Sequence, residues 1–394
     1  MNQRLRLRAF AFLALLLATA AGFLAAPAAA ATAAPEEVAA AYLRARAAAV
    51  ASARPSRVLA PYVVAGSALA AREALVARGA ALRQADLGHG LDRVGCDVTI
   101  LDVSPQPRAD TVVIGARAVV TQAWHARGAL DQQASGVDHL LTLKRRGGAW
   151  RVTADAYVDV ELPALLERAG ATAARVRAAA RRLETAAAAA HAAHARTGWD
   201  IAAAPPAASG AHQAIPPGGA GLQPAARGYV DRLVYDREAV RAYADKYALG
   251  YNPTYMRFSG DCCNFVSQSA FAGGMPVSLG DWTTGWWYGK NGTSSPSDDS
   301  WSWSWISCSK QIAFWLGTRI DWVSSISSVG KGDVVYYDWT GDGLIDHVAV
   351  LVGTNAAGQK VIDAHTTDHC RAYWKLGSSS TRYKFGRVRA YWVI

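Results

Sequence analysis

The sequence predicts an α+β protein of two domains, and three observations support this prediction. Helical patterns precede runs of alternating or β-branched residues in both halves of the chain. A stretch dense in Pro, Ala and Gly, residues 198–227, separates the halves and is typical of a linker. The chain has 394 residues, which is long enough for two ordinary domains. We therefore expect two folded units, each with helices packed on an antiparallel sheet.

The first residues have the features of a secretory signal peptide. Arg4, Arg6 and Arg8 precede an apolar stretch, and a run of small residues follows Pro27. The apolar stretch is short for a transmembrane helix, although an uncleaved membrane anchor is the alternative. We predict that residues 1–31 are a signal peptide and that the mature protein is secreted to the vicinity of the cell wall, without stable membrane insertion after cleavage.

Residues 36–160 are predicted to form a small α+β domain. Helices are expected at 36–53 and 68–82, and strands at 96–103, 111–124, 139–145 and 150–157. Arg146-Gly147-Gly148 is predicted to form the turn of a hairpin, because glycines tolerate the positive φ angles of such turns. In layout alone, helices followed by a meander resemble the cone-shaped nuclear-transport-factor-like domains. That resemblance implies a binding or spacing module.

A helical connector rich in Ala and Arg is expected at residues 161–197, ahead of the linker. Residues 228–394 form the second predicted domain, which contains most of the 14 Trp residues. Helices are expected at 235–247, 261–273 and 309–317, and strands at 333–339, 347–353, 360–364 and 388–393.

Charge and motifs exclude several classes of function. The net charge is +10, but the surplus lies in the first half, and the basic residues form no stripe interleaved with aromatic residues. We therefore expect no nucleic-acid partner, while association with an anionic cell wall fits the charge. The sequence lacks the G-x-S-x-G, H-E-x-x-H, Walker and dinucleotide motifs. No metal and no organic cofactor are implied.

Cys262 is the clearest candidate for chemistry. Asp261 is a good N-cap residue, which places Cys262 in the first turn of a helix. The positive end of the helix dipole favours a thiolate, so we expect a lowered pKa for the Cys262 thiol. Free backbone N–H groups at this helix start, including that of Cys263, are candidates to hold an oxyanion. The alternative is that Cys262 is a buried or disulfide-bonded structural residue.

His347 is the candidate base, because it begins an apolar β run and an imidazole can accept a proton near neutral pH. Taken alone, such a histidine is more often an ordinary strand-edge residue.

Asp363 and His365 follow on the next predicted strand and share one of its faces. Either could orient His347. Asp363 is preferred because a carboxylate stabilises an imidazolium best, and His365 remains an alternative third member or substrate contact.

Several separated motifs carry a resemblance to a known family. They are Tyr235-Asp236-Arg237, Tyr243-Ala244, Asn252-Pro253, Gly260-Asp261-Cys262, Asn264-Phe265-Val266-Ser267-Gln268, Gly273-Gly274, Asp346-His347-Val348-Ala349 and His365-Thr366. In this order they resemble the bacterial putative amidase domain family and, more distantly, the CHAP and NlpC-like cell-wall hydrolases. The resemblance implies a papain-like fold with Cys262 as nucleophile, His347 as base and Asp363 or His365 as orienting residue. Cys263 departs from the pattern, where Thr is expected.

Other patterns have weaker interpretations. Asn264, Trp286, Trp287 and Trp303 are candidates to line a substrate groove, with packing in the core as the alternative. The segment 338–346 partly resembles a calcium loop but lacks the closing Glu, so a polar turn is expected.

Five cysteines are an odd number, so at least one thiol has no partner within the chain. The sequence alone does not assign pairs among Cys96, Cys263, Cys308 and Cys370.

The function predicted from these features is hydrolysis of an amide bond by a cysteine nucleophile, with a peptide or peptidoglycan substrate. One alternative is a transglutaminase-type acyl transferase, which uses the same residues but passes the acyl group to an amine. The other is a non-catalytic cell-wall-binding module in which Trp residues stack on the ligand and Cys262 is idle in a disulfide.

Overall fold

A computed structural model describes residues 33–105, 110–196, 232–290 and 295–393. The predicted signal peptide and the predicted linker lie outside these described residues. Among the helices that the structure describes, none is both long and apolar enough to cross a bilayer.

The first half of the chain forms helices packed on one face of a long antiparallel meander. Its helices and strands are α1 Pro35–Ala48, α2 Pro55–Leu59, α3 Ala68–Asp86, β1 Leu91–Pro105, β2 Thr111–Ala126, β3 Ala129–Arg146, β4 Ala149–Tyr157, α4 Leu162–Arg168 and α5 Ala173–Arg196. Helix α3 begins after Ser67, whose hydroxyl accepts a hydrogen bond from the backbone N–H of Ala70. The predicted hairpin joins β3 to β4, and both of its glycines have positive φ, +56° at Gly147 and +81° at Gly148.

The second half places three of its helices before most of its strands. Its helices and strands are β5 Arg232–Val234, α6 Arg237–Tyr247, α7 Cys262–Ala272, β6 Tyr288–Gly289, β7 Ser300–Trp301, α8 Trp303–Ile306, α9 Cys308–Trp315, β8 Ile320–Val323, β9 Val334–Asp338, β10 His347–Thr354, β11 Lys360–Ala364, β12 Asp368–Tyr373, β13 Arg382–Val388 and β14 Tyr391–Val393. Helix α6 is capped by Asp236, whose carboxylate accepts from the N–H groups of Glu238 and Ala239.

The two halves share one sheet of ten strands. Nine of these strands follow the order β1-β2-β3-β12-β11-β10-β9-β13-β8, and β4 pairs with the far end of β3. The junction lies between β3 and β12, where Gly136 pairs with Asp368 and Ala134 with Cys370. Every pairing between these strands is antiparallel. The structure therefore confirms the α+β class, and it adds a joined sheet that the linker prediction gave no reason to expect.

The two faces of the C-terminal part of the sheet are buried against different partners. On one face, Val348, Val350 and Val361 pack with α6 and α7. On the other face, Ala349 and Ile362 pack in a cluster that also contains side chains from the first half of the chain. Because both faces are covered, β10 is almost entirely apolar, as expected for a strand in the centre of a protein.

Some predicted boundaries were wrong. The single strand expected at 388–393 is the end of β13 and a separate strand β14, which pairs with β5 in a small second sheet. Strands β8 and β12 were missed, because both are short and carry polar residues that weaken the alternating pattern. The long connector helix is divided into α4 and α5, with Gly170 at φ +79° between them.

Candidate active site

Helix α7 presents Cys262 from a rigid, buried support. Cys262 is the first residue of the helix, and every residue from Cys262 to Ala270 is buried. The helix stops at Gly273 and Gly274, the second of which has φ +85°, a conformation that glycine adopts without strain. The helix packs against α6 and β10. The position of the thiol is therefore set by the core of the domain.

Asp261 occupies the position before the helix but does not cap it, so the prediction of an N-cap side chain was wrong. Its carboxylate accepts no hydrogen bond from the backbone N–H groups of the first turn. Instead, Oδ1 accepts from the backbone N–H of Phe258 and from Nδ2 of Asn264, each at 2.9 Å, and Oδ2 lies 2.7 Å from Nδ1 of His365. Asp261 thus ties the loop before α7 to the turn after β11.

His347 acts directly on the Cys262 thiol. It is the first residue of β10 and is 1% exposed, while Cys262 is 6% exposed. Its charge and a side-chain hydrogen bond both lower the pKa of Cys262. This is the relation that a general base has to its nucleophile, so the structure brings together the first two residues of the predicted site.

The net pKa of Cys262 is nevertheless raised well above its ordinary value, contrary to the prediction from the helix dipole. The largest cause is a hydrogen bond with Cys308, followed by burial and by the charge of Cys308. The two Sγ atoms are 3.7 Å apart. His347 opposes these effects without overcoming them, so the neutral thiol is the resting form of Cys262 in this arrangement.

The far side of the His347 ring has no protein partner among the described residues. Its Nε2 atom is buried and makes no hydrogen bond. The ring lies beside two aromatic side chains, with centroids 5.3 Å from Tyr337 and 5.5 Å from Trp339. The orienting residue predicted for this position is therefore absent from the described structure, and aromatic packing holds the ring instead.

Asp363 does not reach His347. It pairs with Val350 across the strands, so it faces α6, whereas Ala349 and the aromatic neighbours of His347 belong to the cluster on the opposite face. Its Oδ1 accepts from the N–H of Arg371 at 2.6 Å. Burial raises the pKa of its carboxyl well above the usual range, and Asp245 raises it further. A carboxyl on the opposite face of the sheet cannot stabilise a His347 imidazolium.

Asp363 belongs to a small group of ligand-type side chains instead. Ligand atoms of Asp245, Asp363 and Cys370 lie within 4.8 Å of one another, close enough to hold a metal ion. However, Asp245 already pairs with Arg241 at 2.5 Å and lies 3.8 Å from an Arg371 nitrogen. These two cations oppose binding of a third cation at this group.

His365 is engaged at both of its ring nitrogens. Nδ1 faces the carboxylate of Asp261, and Nε2 lies 2.8 Å from the carbonyl oxygen of Tyr247. Both partners only accept, so both nitrogens must carry protons and the ring is an imidazolium. Burial works against this charge, but the hydrogen bond and charge of Asp261 outweigh it and raise the pKa of His365. His365 therefore supports the start of α7 and does not orient His347.

The backbone at the helix start remains suited to bind an oxyanion. The first intrahelical hydrogen bond runs from the N–H of Phe265 to the carbonyl of Asp261. The N–H groups of Cys262 and Cys263 precede that bond and have no acceptor within the helix. Cys263 is fully buried, and its Sγ lies 3.5 Å from Sγ of Cys308, so any role for this residue at the site falls to its backbone N–H.

Two of the four predicted groove residues lie in the core. Trp286 is fully buried against Trp305 and Trp315. Asn264 is 1% exposed, with its amide bonded to Met256, Asp261 and Trp305. The groove prediction was wrong for these two, because their polar atoms are satisfied inside the domain, that of Trp286 by donating to the hydroxyl of Ser267. The rings of Trp287 and Trp303 are partly exposed, Trp303 by 40%, and both remain candidates.

The calcium-like segment is a polar turn. Asp338 accepts hydrogen bonds from the backbone N–H groups of Gly341, Asp342 and Gly343. Asp346 accepts from the N–H of Trp339 at 2.9 Å. Backbone donors thus occupy the carboxylate of Asp338, as expected for a turn before a strand.

Cys308 is the residue near Cys262 that the sequence did not single out. It begins α9, and its sulfur lies close to the sulfur atoms of both Cys262 and Cys263. Nothing in its local motif marks it, because Cys263 and Cys308 are 45 positions apart and the intervening chain must fold before the contact exists. An odd number of cysteines was the one available signal.

Comparison with known proteins finds a family match for the C-terminal half of the chain. Residues 234–388 match the model of the putative amidase domain family. The matched segment contains all four of the predicted catalytic residues. It supports the family resemblance for the C-terminal half, and the family description points to hydrolysis of amide bonds.

Two relatives from Bacillus subtilis (strain 168) match the chain. The uncharacterized protein YhbB is 33% identical over 165 residues, which are 39% of this chain and 50% of YhbB. The uncharacterized protein YjcM is 31% identical over 147 residues, which are 34% of this chain and 31% of YjcM. The chain therefore spans half or less of the length of the curated relatives it matches. No solved structure matches it significantly.

Proposed function

We propose that the C-terminal domain is a cysteine-dependent amide hydrolase of papain-like type, with Cys262 as nucleophile and His347 as base. One observation carries the proposal: a cysteine at the start of a rigid helix lies within hydrogen-bonding reach of a histidine from a neighbouring strand, which opposes the rise in the cysteine pKa. The match of residues 234–388 to an amidase family supports the reaction class.

The chemistry follows from the groups in place. His347 removes the thiol proton of Cys262 as the sulfur attacks the carbonyl carbon of the substrate amide. The negative oxygen that forms is held by the N–H groups of Cys262 and Cys263. The C–N bond breaks as His347 returns the proton to the leaving amine, which leaves a thioester. Water, deprotonated by His347, then releases the acid and the free thiol.

The raised pKa of Cys262 shapes this mechanism. Because the thiol is neutral at rest, proton transfer to His347 must accompany substrate binding or attack. The unpartnered Nε2 of His347 leaves a buried position for a substrate group or water to hydrogen-bond to the imidazole. We therefore place the third polar partner of the site in the bound substrate complex and not in Asp363.

Peptidoglycan stem peptides are the proposed substrate, and export to the cell-wall region is part of the same proposal. The predicted signal peptide, the basic first half and the resemblance to cell-wall hydrolases support it. The partly exposed rings of Trp287 and Trp303 are candidates to contact such a substrate.

A first experiment tests the site without a substrate. Iodoacetamide labelling of Cys262 in the reduced protein, followed by mass spectrometry from pH 5 to 10, should rise with pH as the thiolate forms. In His347→Ala the profile should move to higher pH, because the contributions that lower the thiol pKa are lost. Identical profiles for the two proteins would contradict a thiol–imidazole pair.

A second experiment tests the reaction. Incubation with purified peptidoglycan should release new amine termini in the wild type, and Cys262→Ala should lose this activity by at least about a hundredfold. Cys96→Ala is the matched control, since Cys96 lies in the other domain with Sγ 3.7 Å from the carbonyl of Leu43. Equal release by Cys262→Ala would refute cysteine catalysis, and no release by the wild type would refute this substrate.

A further inference from the structure

Three buried sulfur atoms meet at the start of α7. Sγ of Cys308 lies 3.7 Å from that of Cys262 and 3.5 Å from that of Cys263. The exposed fractions are 6% for Cys262, 0% for Cys263 and 1% for Cys308. We propose that Cys308 is a redox partner with two mutually exclusive disulfides: one to Cys262, which blocks the nucleophile, and one to Cys263, which leaves it free.

The geometry permits either bond. A disulfide has an S–S distance of about 2.05 Å, so a sulfur must approach by roughly 1.5 Å in each case. Cys308 is the first residue of α9 and follows Ser307, which has extended backbone angles. Rotation of side chains at two helix starts can supply this approach. Because Cys308 has one sulfur, it can bond only one of its neighbours at a time.

Simple packing of small apolar side chains is the alternative explanation for the cluster. The other two cysteines of the chain do not behave in this way. Cys96 directs its sulfur at the carbonyl of Leu43, and Cys370 lies near the carboxylates of Asp245 and Asp363. Close sulfur contacts among the described residues are thus confined to the candidate active site, where oxidation has a consequence.

The oxidation can proceed as a relay from the surface inwards. A small disulfide, RSSR, is attacked by the Cys262 thiolate, which forms a mixed disulfide and releases one RS⁻. The Cys308 thiolate then attacks the Cys262 sulfur and releases the second RS⁻. The Cys263 thiolate finally attacks Cys308, which transfers the bond and frees Cys262. One RSSR becomes two RSH, and two protein thiols become one disulfide, so electrons and protons balance.

The two end states differ in the reactivity of Cys262. The Cys308 thiol is the largest cause of the raised pKa of Cys262, and a bond from Cys308 to Cys263 removes that thiol. Burial then remains as an effect that raises the pKa of Cys262, while His347 still lowers it and favours the thiolate. The bond between Cys308 and Cys263 should therefore activate the nucleophile. This consequence for catalysis rests on the hydrolase function proposed above, whereas the pairing itself does not.

The test uses the full chain, reduced and then oxidised with glutathione disulfide. Trypsin places Cys262 and Cys263 in the peptide 258–290 and Cys308 in the peptide 291–310. Mass spectrometry without reduction should find these two peptides linked in the wild type, and fragment ions between the adjacent cysteines should assign the bond. The link should also form in Cys263→Ser and, more slowly because the entry thiol of the relay is missing, in Cys262→Ser. It should persist in Cys370→Ser and be absent from Cys308→Ser.

Iodoacetamide labelling of Cys262 then distinguishes the disulfide between Cys262 and Cys308 from the one between Cys263 and Cys308. In Cys263→Ser, glutathione disulfide should abolish iodoacetamide labelling of Cys262, and dithiothreitol should restore it. In the wild type carrying the bond between Cys263 and Cys308, labelling at pH 7 should be several-fold faster than in the reduced protein. Absence of the link from the wild type and both serine variants would overturn the proposal. A link without peptidoglycan hydrolysis in any state would support the redox pairing and contradict peptidoglycan as the substrate.

Discussion

His365 was a candidate catalytic residue, but its contacts show that it supports the structure around the candidate active site. Its imidazolium lies between Asp261 and the carbonyl of Tyr247, and its ring stacks on Phe265 with centroids 4.1 Å apart. It therefore fixes the residue before the nucleophile from a neighbouring strand. A buried ion pair of this kind is costly to break, because removal of one partner leaves the other charge unpaired.

We predict that His365→Gln destabilises the protein by about 3–5 kcal/mol at pH 6, as when one partner of a buried ion pair is removed. The folded-state pKa of His365 is raised, so its ion pair stabilises fully below the unfolded value of about 6.5. That stabilisation is lost as the pH rises through the folded-state pKa.

Thermal unfolding of His365→Gln and wild type from pH 5.5 to 9 checks this prediction, since the difference between them should shrink with rising pH. His125→Gln is a matched control. His125 also pairs with a carboxylate, that of Asp92, but both side chains are largely exposed and such pairs contribute little. A difference that does not change with pH would contradict an imidazolium at position 365.

At this scale the sequence predicted that Cys262 and His347 lie together, but not what surrounds them. A cysteine after a polar residue and a histidine before an apolar run are local patterns, and the structure brings the two side chains into contact. The third residue depends on which face of a strand it occupies relative to His347. The register between β10 and β11 sets that relation, and it includes a bulge between Leu351 and Gly353. The local sequence of either strand does not reveal this register.

At the scale of elements, the position of α7 depends on its close approach to α6. A Cβ atom added at Gly273 would lie 2.3 Å from Cγ2 of Val240 and 3.0 Å from the carbonyl oxygen of Asp236. Contacts this short force one helix away from the other. Since α7 carries the nucleophile at its other end, such a shift should also disturb Cys262.

We predict that Gly273→Ala destabilises the protein by about 1–3 kcal/mol and lowers hydrolase activity. Gly250→Ala is the control, because a Cβ there meets no atom within 4 Å, and it should change stability by less than about 0.5 kcal/mol. Urea unfolding and the peptidoglycan assay measure both variants. Equal stability for the two would show that the helices can move apart without cost.

The elements themselves were predictable where the pattern was strong. Helices α3 and α6 start after capping residues that the sequence displays, Ser67 and Asp236. Strand β12 was missed because its burial comes from β3, roughly 230 residues earlier in the chain, and no local pattern reports such a partner.

At the scale of the whole molecule, a row of charges connects the first domain to the site. Arg117 on β2 forms an ion pair with Asp368 at the start of β12 and donates to the carbonyl of Leu249. Asp368 accepts from the hydroxyl of Tyr251, and its charge raises the pKa of His365. The first domain therefore contributes to the electrostatic support of α7.

We predict that Arg117→Ala lowers kcat/KM for peptidoglycan hydrolysis by about tenfold and reduces thermal stability, because the buried Asp368 carboxylate loses its ion pair with Arg117. The pH profile of Cys262 labelling should also shift, which a loss of stability alone would not cause. Arg93→Ala is the control, since Arg93 is an exposed residue on the neighbouring strand β1. An unchanged profile and rate in Arg117→Ala would show that the domains are independent in catalysis.

The shared sheet has a consequence for how the chain is made. Synthesis proceeds from the N-terminus, so the first domain can fold while the last strands are still missing. Until residues 368–370 arrive, the part of β3 that pairs with β12 has unpaired N–H and C=O groups along one side. An edge of this kind can recruit strands from other chains. The period between synthesis of the two partners is therefore when this protein is most exposed to aggregation.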